Sequence, residues 1–217
     1  RTIAHFTYVD EIDVTELEAF RKRANAKSSE DKPKLTVLPF IIRALAATLQ
    51  NWPQFNAHYR DGTDGQPGGF ISQFADLNLG LAAQTDTGLD VPVIQKAQTL
   101  TVWEMAGEIA RLANSARDNK LSPSDFQGAT TTLTSLGPLG GIVTTPVVNK
   151  PEVAIFGNNK IRSKLELRDG NVVERQVMNF SVSDDHRVID GYDAAAMIHD
   201  LKARLEDPVL LFLLTGL

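Results

Sequence analysis

Apolar and polar positions alternate loosely along Ile3–Ile12, and Phe6, Tyr8 and Val9 favour extended chain there, which predicts a first strand. Asp13-Val14-Thr15-Glu16 follows as a predicted capping box. Asp13 would accept from the first-turn amides and Glu16 reach back, ahead of a helix carried by Leu17, Phe20 and Ala24. Lys27–Lys34 is polar, contains a proline and reads as a loop. Thr36 is placed to cap a second helix, Val37–Gln50, whose apolar residues run almost all round it, so it is expected to be well buried. Trp52-Pro53 ends it.

The glycine-rich stretch Asp61–Gly69 is the segment expected to be most flexible. Two short strands, Leu77–Gln84 and Leu89–Ile94, are predicted on either side of Thr85-Asp86-Thr87-Gly88. Leu100–Asn119 has helical periodicity, and Ser122-Pro123-Ser124-Asp125 starts a helical turn with proline at its favoured first position. From Thr130 the pattern turns to strands: Thr130–Ser135, Val153–Asn158, Ile161–Leu167 and Val172–Ser183. Asp169-Gly170 is a hairpin signal between the last two, and a final helix, Tyr192–Leu205, stops before Pro208. Helices segregated from hairpin-connected strands predict an α+β domain, two layers with a mixed sheet, rather than alternating βαβ units. With no internal repeat and no boundary signal, residues 1–217 read as one domain.

Composition narrows the function. The 217 residues are 42% apolar and 23% charged, so the chain is globular and long enough to bury about 70% of its unfolded surface. The absence of cysteine excludes disulfides, thiolate metal sites and a cysteine nucleophile. No stretch approaches the ~20 apolar residues that cross a bilayer, no signal peptide opens the chain, and a net charge of −5 argues against a nucleic-acid coat. Opening at Arg1, the sequence reads as the core of something longer, from a cytoplasmic or organellar compartment.

His5, His58, His186 and His199 lack a two-histidine zinc spacing, so no metal is expected. Gly137-Pro138-Leu139-Gly140-Gly141 lacks the lysine and spacing of a phosphate loop and reads as a tight turn. No Gly-x-Ser-x-Gly elbow is present. Lys160, Arg162 and Lys164 share one face of a strand, where such charges protect a sheet edge or bind an anion.

Chemistry concentrates in Ser183-Asp184-Asp185-His186-Arg187-Val188-Ile189-Asp190-Gly191, where a β-rich run meets a helix. A histidine at that corner can face a cleft and take a proton near neutral pH, since its reference pKa is about 6.5. Asp190, four residues on, could fix the corner. The alternative makes Asp190 only the N-cap of Tyr192–Leu205, with Asp193 completing a box, and His186 a structural histidine.

Asp185-His186-Arg187-Val188-Ile189-Asp190-Gly191 resembles the signature of the dihydrolipoyl acyltransferases, the catalytic cores of 2-oxo acid dehydrogenase complexes, which share a fold with chloramphenicol acetyltransferase. Further segments are similar in the same order: Lys34-Leu35-Thr36-Val37-Leu38-Pro39-Phe40, Gly88-Leu89-Asp90-Val91-Pro92-Val93, Thr132-Leu133-Thr134-Ser135-Leu136-Gly137 and Pro151-Glu152-Val153-Ala154-Ile155. Asp90 departs from the family, which is usually apolar there.

By this resemblance His186 is the general base that removes the thiol proton from coenzyme A or dihydrolipoamide, a role worth roughly 10²–10⁴ in rate. Thr134 takes the position of the serine or threonine that donates to the tetrahedral oxyanion. On the residues alone, Thr134 reads as a strand hydroxyl bonded to backbone. Asp190 matches an Asp or Asn that holds the corner in shape, and Asp185 and Arg187 match the signature in structural roles. Phe156 falls where the family lines its substrate channel, or is ordinary core. The resemblance also implies an active site between subunits of a homotrimer, with the histidine and the hydroxyl from different chains. Trimers would assemble into a cubic or dodecahedral core served by lipoyl domains and by decarboxylase and dihydrolipoyl dehydrogenase components. Coenzyme A is then a substrate, and the lipoyl group rides on a domain outside this chain.

Val209–Leu214 is a candidate assembly contact, or else docks on its own subunit. Within the family, Thr134–Val143 is unlike the succinyl-transferring branch. Arg1–Asp13, that same glycine-containing segment and Met178–Ser183 resemble the bacterial branched-chain type, so branched-chain acyl transfer is expected first and acetyl transfer second. A catalytically silent scaffold would have no need of both His186 and Thr134, and a small-molecule acetyltransferase working as a free trimer fits Lys34–Phe40 and Gly88–Val93 poorly.

Overall fold

The computed structural model describes residues 3–62, 68–85, 88–135 and 137–213. In chain order the elements are β1 (His5–Asp13), α1 (Thr15–Lys27), α2 (Leu38–Asn51), β2 (Ala57–Arg60), β3 (Phe70–Gln73), β4 (Leu79–Thr85), β5 (Gly88–Asp90), β6 (Val93–Ile94), α3 (Val102–Arg117), β7 (Thr131–Ser135), β8 (Ala154–Asn158), β9 (Arg162–Arg168), β10 (Asn171–Asp185), α4 (Gly191–Glu206) and α5 (Pro208–Leu213). Eight strands form one sheet in the order β1-β10-β8-β7-β4-β5, with β9 on β10 and β6 on β4, while β2 and β3 pair separately. The β4–β7 and β7–β8 pairs are parallel and the others antiparallel, so the sheet is mixed. Among the described residues no helix is long and apolar enough to cross a membrane.

The two-residue period of a strand sorts the sheet into two faces. Leu79, Leu133, Phe156, Phe180 and Val182 point into one apolar core with Phe40, Ile41 and Leu45 of α2, Met105 and Leu112 of α3, and Ile198 and Leu201 of α4. On the other face the segment from Ile142 to Asn149 crosses the sheet. It packs closely: a Cβ on Gly157 would lie 2.9 Å from Thr144 Oγ1 of that segment, and 2.3 Å from Ser181 Oγ on the neighbouring β10. Glycine is required there by space.

Several local expectations change. Thr36 caps no helix, and α1 and α2 begin after Val14 and Val37, which offer no side-chain cap. Asp13 does accept from the first amide of α1, that of Thr15 at 3.1 Å, but the same carboxylate also takes Thr15 Oγ1, Arg168 and Arg175, the two arginines tying β1 to the β9–β10 hairpin, and Glu16 does not reach back to complete the box. The capping box of the helical core is instead Thr101–Glu104, at the start of α3. The Ser122 turn forms with its own box. Leu89–Ile94 divides into β5 and β6 at Val91-Pro92. The β2–β3 pair and α5 were not expected. The hairpin at Asp169-Gly170 forms with φ of 50° and 78°, the left-handed pair a tight two-residue turn needs.

Arg162 and Lys164 both pair with Glu11, so the edge-protecting reading holds for them rather than anion binding. In α5, Leu211 is buried and Phe212 packs on Phe20 and Phe40, while Val209 and Leu213 stay exposed. That segment docks on its own subunit and still presents apolar side chains. Leu136, Leu214 and the central part of Asp61–Gly69, residues 63–67, lie outside the described residues, as do Asp86 and Thr87.

Candidate active site

β10 ends at Asp185, whose carbonyl accepts from the Val188 and Ile189 amides and turns the chain toward α4. Arg187 closes the same turn from outside with a two-pronged hydrogen bond to the Asp185 carboxylate, and its guanidinium lies 4.3 Å above the Tyr59 ring. Burial works to raise the Asp185 carboxyl, but the Arg187 hydrogen bonds outweigh it and hold the group below the usual carboxylate range. Asp190 then caps α4 by accepting from the Asp193 amide at 2.9 Å. Asp193 does not complete a box; its carboxylate accepts instead from Gln54. The corner is thus held at both ends by backbone bonds.

His186 stands on this corner, exposed, with its amide donating to the Ala4 carbonyl at 2.7 Å. Its Nδ1 is 2.8 Å from the Ile189 carbonyl. A carbonyl can only accept, so Nδ1 carries the proton and Nε2 keeps a free lone pair. Phe6 stacks on the imidazole at 5.0 Å and 19°. The ring plane is thereby fixed and, in the uncharged ring, the lone pair sits on Nε2, which is what a general base needs.

Thr134 lies on β7, facing away from the helices. It lines a cleft of about 370 Å3 with Thr132, Ile155, Leu89, Val91 and the Pro146–Asn149 segment. Thr131 Oγ1 donates to the Ala154 carbonyl and Thr130 Oγ1 to the Asn78 carbonyl, whereas no such bond occupies Thr134 Oγ1 among the described residues. Its hydroxyl is available to a ligand. Phe156 does not join it. That residue is fully buried against Phe180 on the helix face, because its register partner is Leu133; Ile155, partner of Thr132, points into the cleft instead.

Within one chain His186 and Thr134 do not meet. Thr134 is level with Gly157, and Gly157 with Ser181, so His186 lies five residues further along β10 and two strands across. Strand rise and spacing make that roughly 15–20 Å. The Pro146–Asn149 segment lies between them, tethered where the Val148 amide donates to His5 Nε2.

A family model described as 2-oxoacid dehydrogenases acyltransferase (catalytic domain) matches residues 1–213. The chain belongs to that family. Among relatives of this acyltransferase domain, the lipoamide acyltransferase component of the branched-chain alpha-keto acid dehydrogenase complex of Pseudomonas putida is 50% identical over 98% of the chain, which covers 49% of that protein. The dihydrolipoyllysine-residue acetyltransferase component of the Bacillus subtilis pyruvate dehydrogenase complex is 41% identical over 98% of the chain and 47% of its own length. The chain therefore spans about half the length of the curated relatives it matches.

The solved dihydrolipoamide acetyltransferase of Azotobacter vinelandii superimposes with a TM-score of 0.88 at 37% identity, covering 97% of this chain and 84% of that one. The cubic core of a pyruvate dehydrogenase multienzyme complex does so equally well. Chloramphenicol acetyltransferase, at 15% identity and a TM-score of 0.57, shares the fold. The α+β, mixed-sheet expectation and the family resemblance both hold.

Sequence reasoning proposed His186, Thr134 and Asp190 and did not single out Phe6 and the Ile189 carbonyl, which hold the His186 ring. Phe6 looks like any strand aromatic, and a backbone acceptor leaves no trace in side-chain chemistry.

Proposed function

We propose that residues 1–217 form one catalytic domain that transfers an acyl group between a dihydrolipoyl arm and coenzyme A. The observation that carries this reading is the tautomer: the Ile189 carbonyl fixes the proton on His186 Nδ1, leaving Nε2 free to act. A thiol of pKa about 8.5 is only a few per cent thiolate at pH 7, so the base supplies what the nucleophile lacks. Nε2 takes the S–H proton, and sulfur attacks the thioester carbonyl carbon. The resulting oxyanion accepts from the Thr134 hydroxyl of a neighbouring copy. Collapse breaks the original carbon–sulfur bond, and the departing thiolate recovers the proton from the imidazolium.

The Azotobacter study concerns the role of a serine, a histidine and an asparagine in that enzyme's mechanism. The histidine lies 52 residues after the serine and 4 before the asparagine. Thr134, His186 and Asp190 have the same spacing, which supports their assignment.

The intrachain gap between Thr134 and His186 favours a homotrimer with sites between subunits, and the cubic-core relative favours assembly of trimers, with Val209 and Leu213 as contacts. The lipoyl carrier and the segments that engage decarboxylase and dihydrolipoyl dehydrogenase components would lie outside this chain. In a bacterium the protein would work in the cytoplasm. Identity of 50% to a branched-chain component, against 41% to an acetyl-transferring one, favours isobutyryl, isovaleryl or 2-methylbutyryl groups.

Turnover of isobutyryl-, acetyl- and succinyl-coenzyme A with dihydrolipoamide tests the reading. We expect isobutyryl first, with acetyl, two carbons smaller, behind it by at least the ~10-fold that a single methylene is worth. His186→Ala should lower every rate by ~10² or more. Activity within a few-fold of wild type would remove His186 from its role, and a succinyl preference would overturn the acyl assignment.

A further inference from the structure

His5 has no part in the acyl-transfer scheme, yet both of its ring nitrogens are engaged. Nδ1 lies 3.2 Å from the Ile3 carbonyl, and the Val148 amide lies 3.0 Å from Nε2. A carbonyl only accepts and an amide N–H only donates. Both contacts therefore require the same tautomer, with the proton on Nδ1 and the lone pair on Nε2.

What the ring holds is a wall of the Thr134 cleft. Pro146, Val147, Val148 and Asn149 line it, in a segment with no helix or strand of its own. Asn149 is tied to Glu152, whose amide donates to the Asn149 carbonyl at 2.9 Å and whose carboxylate accepts from Asn149 Nδ2 at 3.3 Å. From Thr144 to Val148, the His5 ring is the only hydrogen-bond partner of the backbone among the described residues. Val148 is 5% exposed, so without that ring its amide would lose its acceptor with little water to replace it.

The other end of the tie is the histidine corner. His5 opens β1 opposite Asp185, and the adjoining Ala4 carbonyl accepts from the His186 amide at 2.7 Å. Two neighbouring residues thus grip the corner and the cleft wall. We propose that His5 is a positioning residue, latching the Val148 amide and holding the cleft wall at the width that suits a branched acyl chain. This rests on the acyl group lying in the Thr134 cleft. A larger group touches more of the wall and loses more contact when the wall recedes.

Three variants of the assembled protein test it. His5→Gln carries its carboxamide oxygen about as far as Nε2, whereas His5→Asn reaches only to Nδ1 and His5→Ala to neither. Deuterium exchange at the Val148 amide, resolved by electron-transfer fragmentation, should be slow in wild type and His5→Gln. In His5→Asn and His5→Ala it should be at least about tenfold faster. In those two variants the ratio of kcat/KM for isobutyryl- over acetyl-coenzyme A should fall by about three- to tenfold, what one hydrogen bond is worth, through KM rather than kcat. A side chain that merely stabilised β1 would shift the melting temperature and leave that ratio alone.

Free exchange at Val148 in the wild-type protein overturns the proposal whatever the variants do. So does a ratio constant across all four proteins, or a glutamine variant that behaves as the alanine one. Absence of any acyl transfer would instead defeat the acyl-transfer reading, with exchange at Val148 still deciding the latch.

Discussion

Glu152 shows what a single buried carboxyl does to this molecule. It precedes β8, is 3% exposed, and has Asn149 as a donor to one oxygen while the other is unpartnered. Burial pushes it up to about 7 from 4.5. Below pH 4.5 the group is protonated folded or unfolded, and its contribution to stability is intact. As pH rises toward 7 the unfolded chain gives up the proton and the folded chain keeps it, so stability drains away and is lost above 7. Glu152→Gln, which keeps the shape and an acceptor for Asn149, should therefore match wild type near pH 4.5. Its advantage should grow to as much as about 3 kcal/mol by pH 8, read from denaturant midpoints. A constant difference across that range would show that Glu152 is not held protonated. At this scale the sequence exposed chemistry unevenly. His186 was legible because its flanking pattern announces a strand-to-helix corner. The raised acid at Glu152 was not, since burial is a property of the fold, and of the two readings of Phe156 the structure has ordinary core, one step of strand parity from the cleft.

Caps and turns were read well where their partners are local, and badly where distant residues compete for them. Asp169-Gly170 needs only its own dihedrals and appears as expected. Asp13 was claimed by Arg175 across 162 residues, a contact no local rule anticipates. The sheet order was illegible for the same reason: it places β10 between β1 and β8 through long-range register. Asp190 makes its element-level role testable. If it serves the corner by capping α4, Asp190→Ala should destabilise by about 1 kcal/mol and lower kcat as the Ile189 carbonyl loses its position under His186, whereas Asp190→Asn, an equally good cap, should keep both stability and rate. Loss of rate in the asparagine variant with stability preserved would assign Asp190 an electrostatic role instead. Thermal melts and kcat for the two variants separate these outcomes.

The proposed mechanism poses a geometric problem that no single chain solves. It needs a base and an oxyanion donor within about 3 Å of the same reacting centre, yet the residues proposed for them, His186 and Thr134, are separated by two strands, five residues and the Pro146–Asn149 segment. Nothing in the fold can close that gap without breaking the β10–β8–β7 pairing on which the core is built. A site shared between neighbouring copies removes the difficulty, because each copy then offers its histidine to one neighbour and its hydroxyl to the other. The consequence is unusual for two crippled variants. His186→Ala and Thr134→Ala proteins, each nearly inactive alone, should recover activity when dissociated, mixed and reassembled. A site is intact wherever a chain with its histidine faces a chain with its hydroxyl, so random equal mixing around a cyclic trimer should restore about one quarter of the wild-type rate. Were both groups of a site drawn from one chain, every mixed assembly would stay as inactive as its parents, whatever the proportions used.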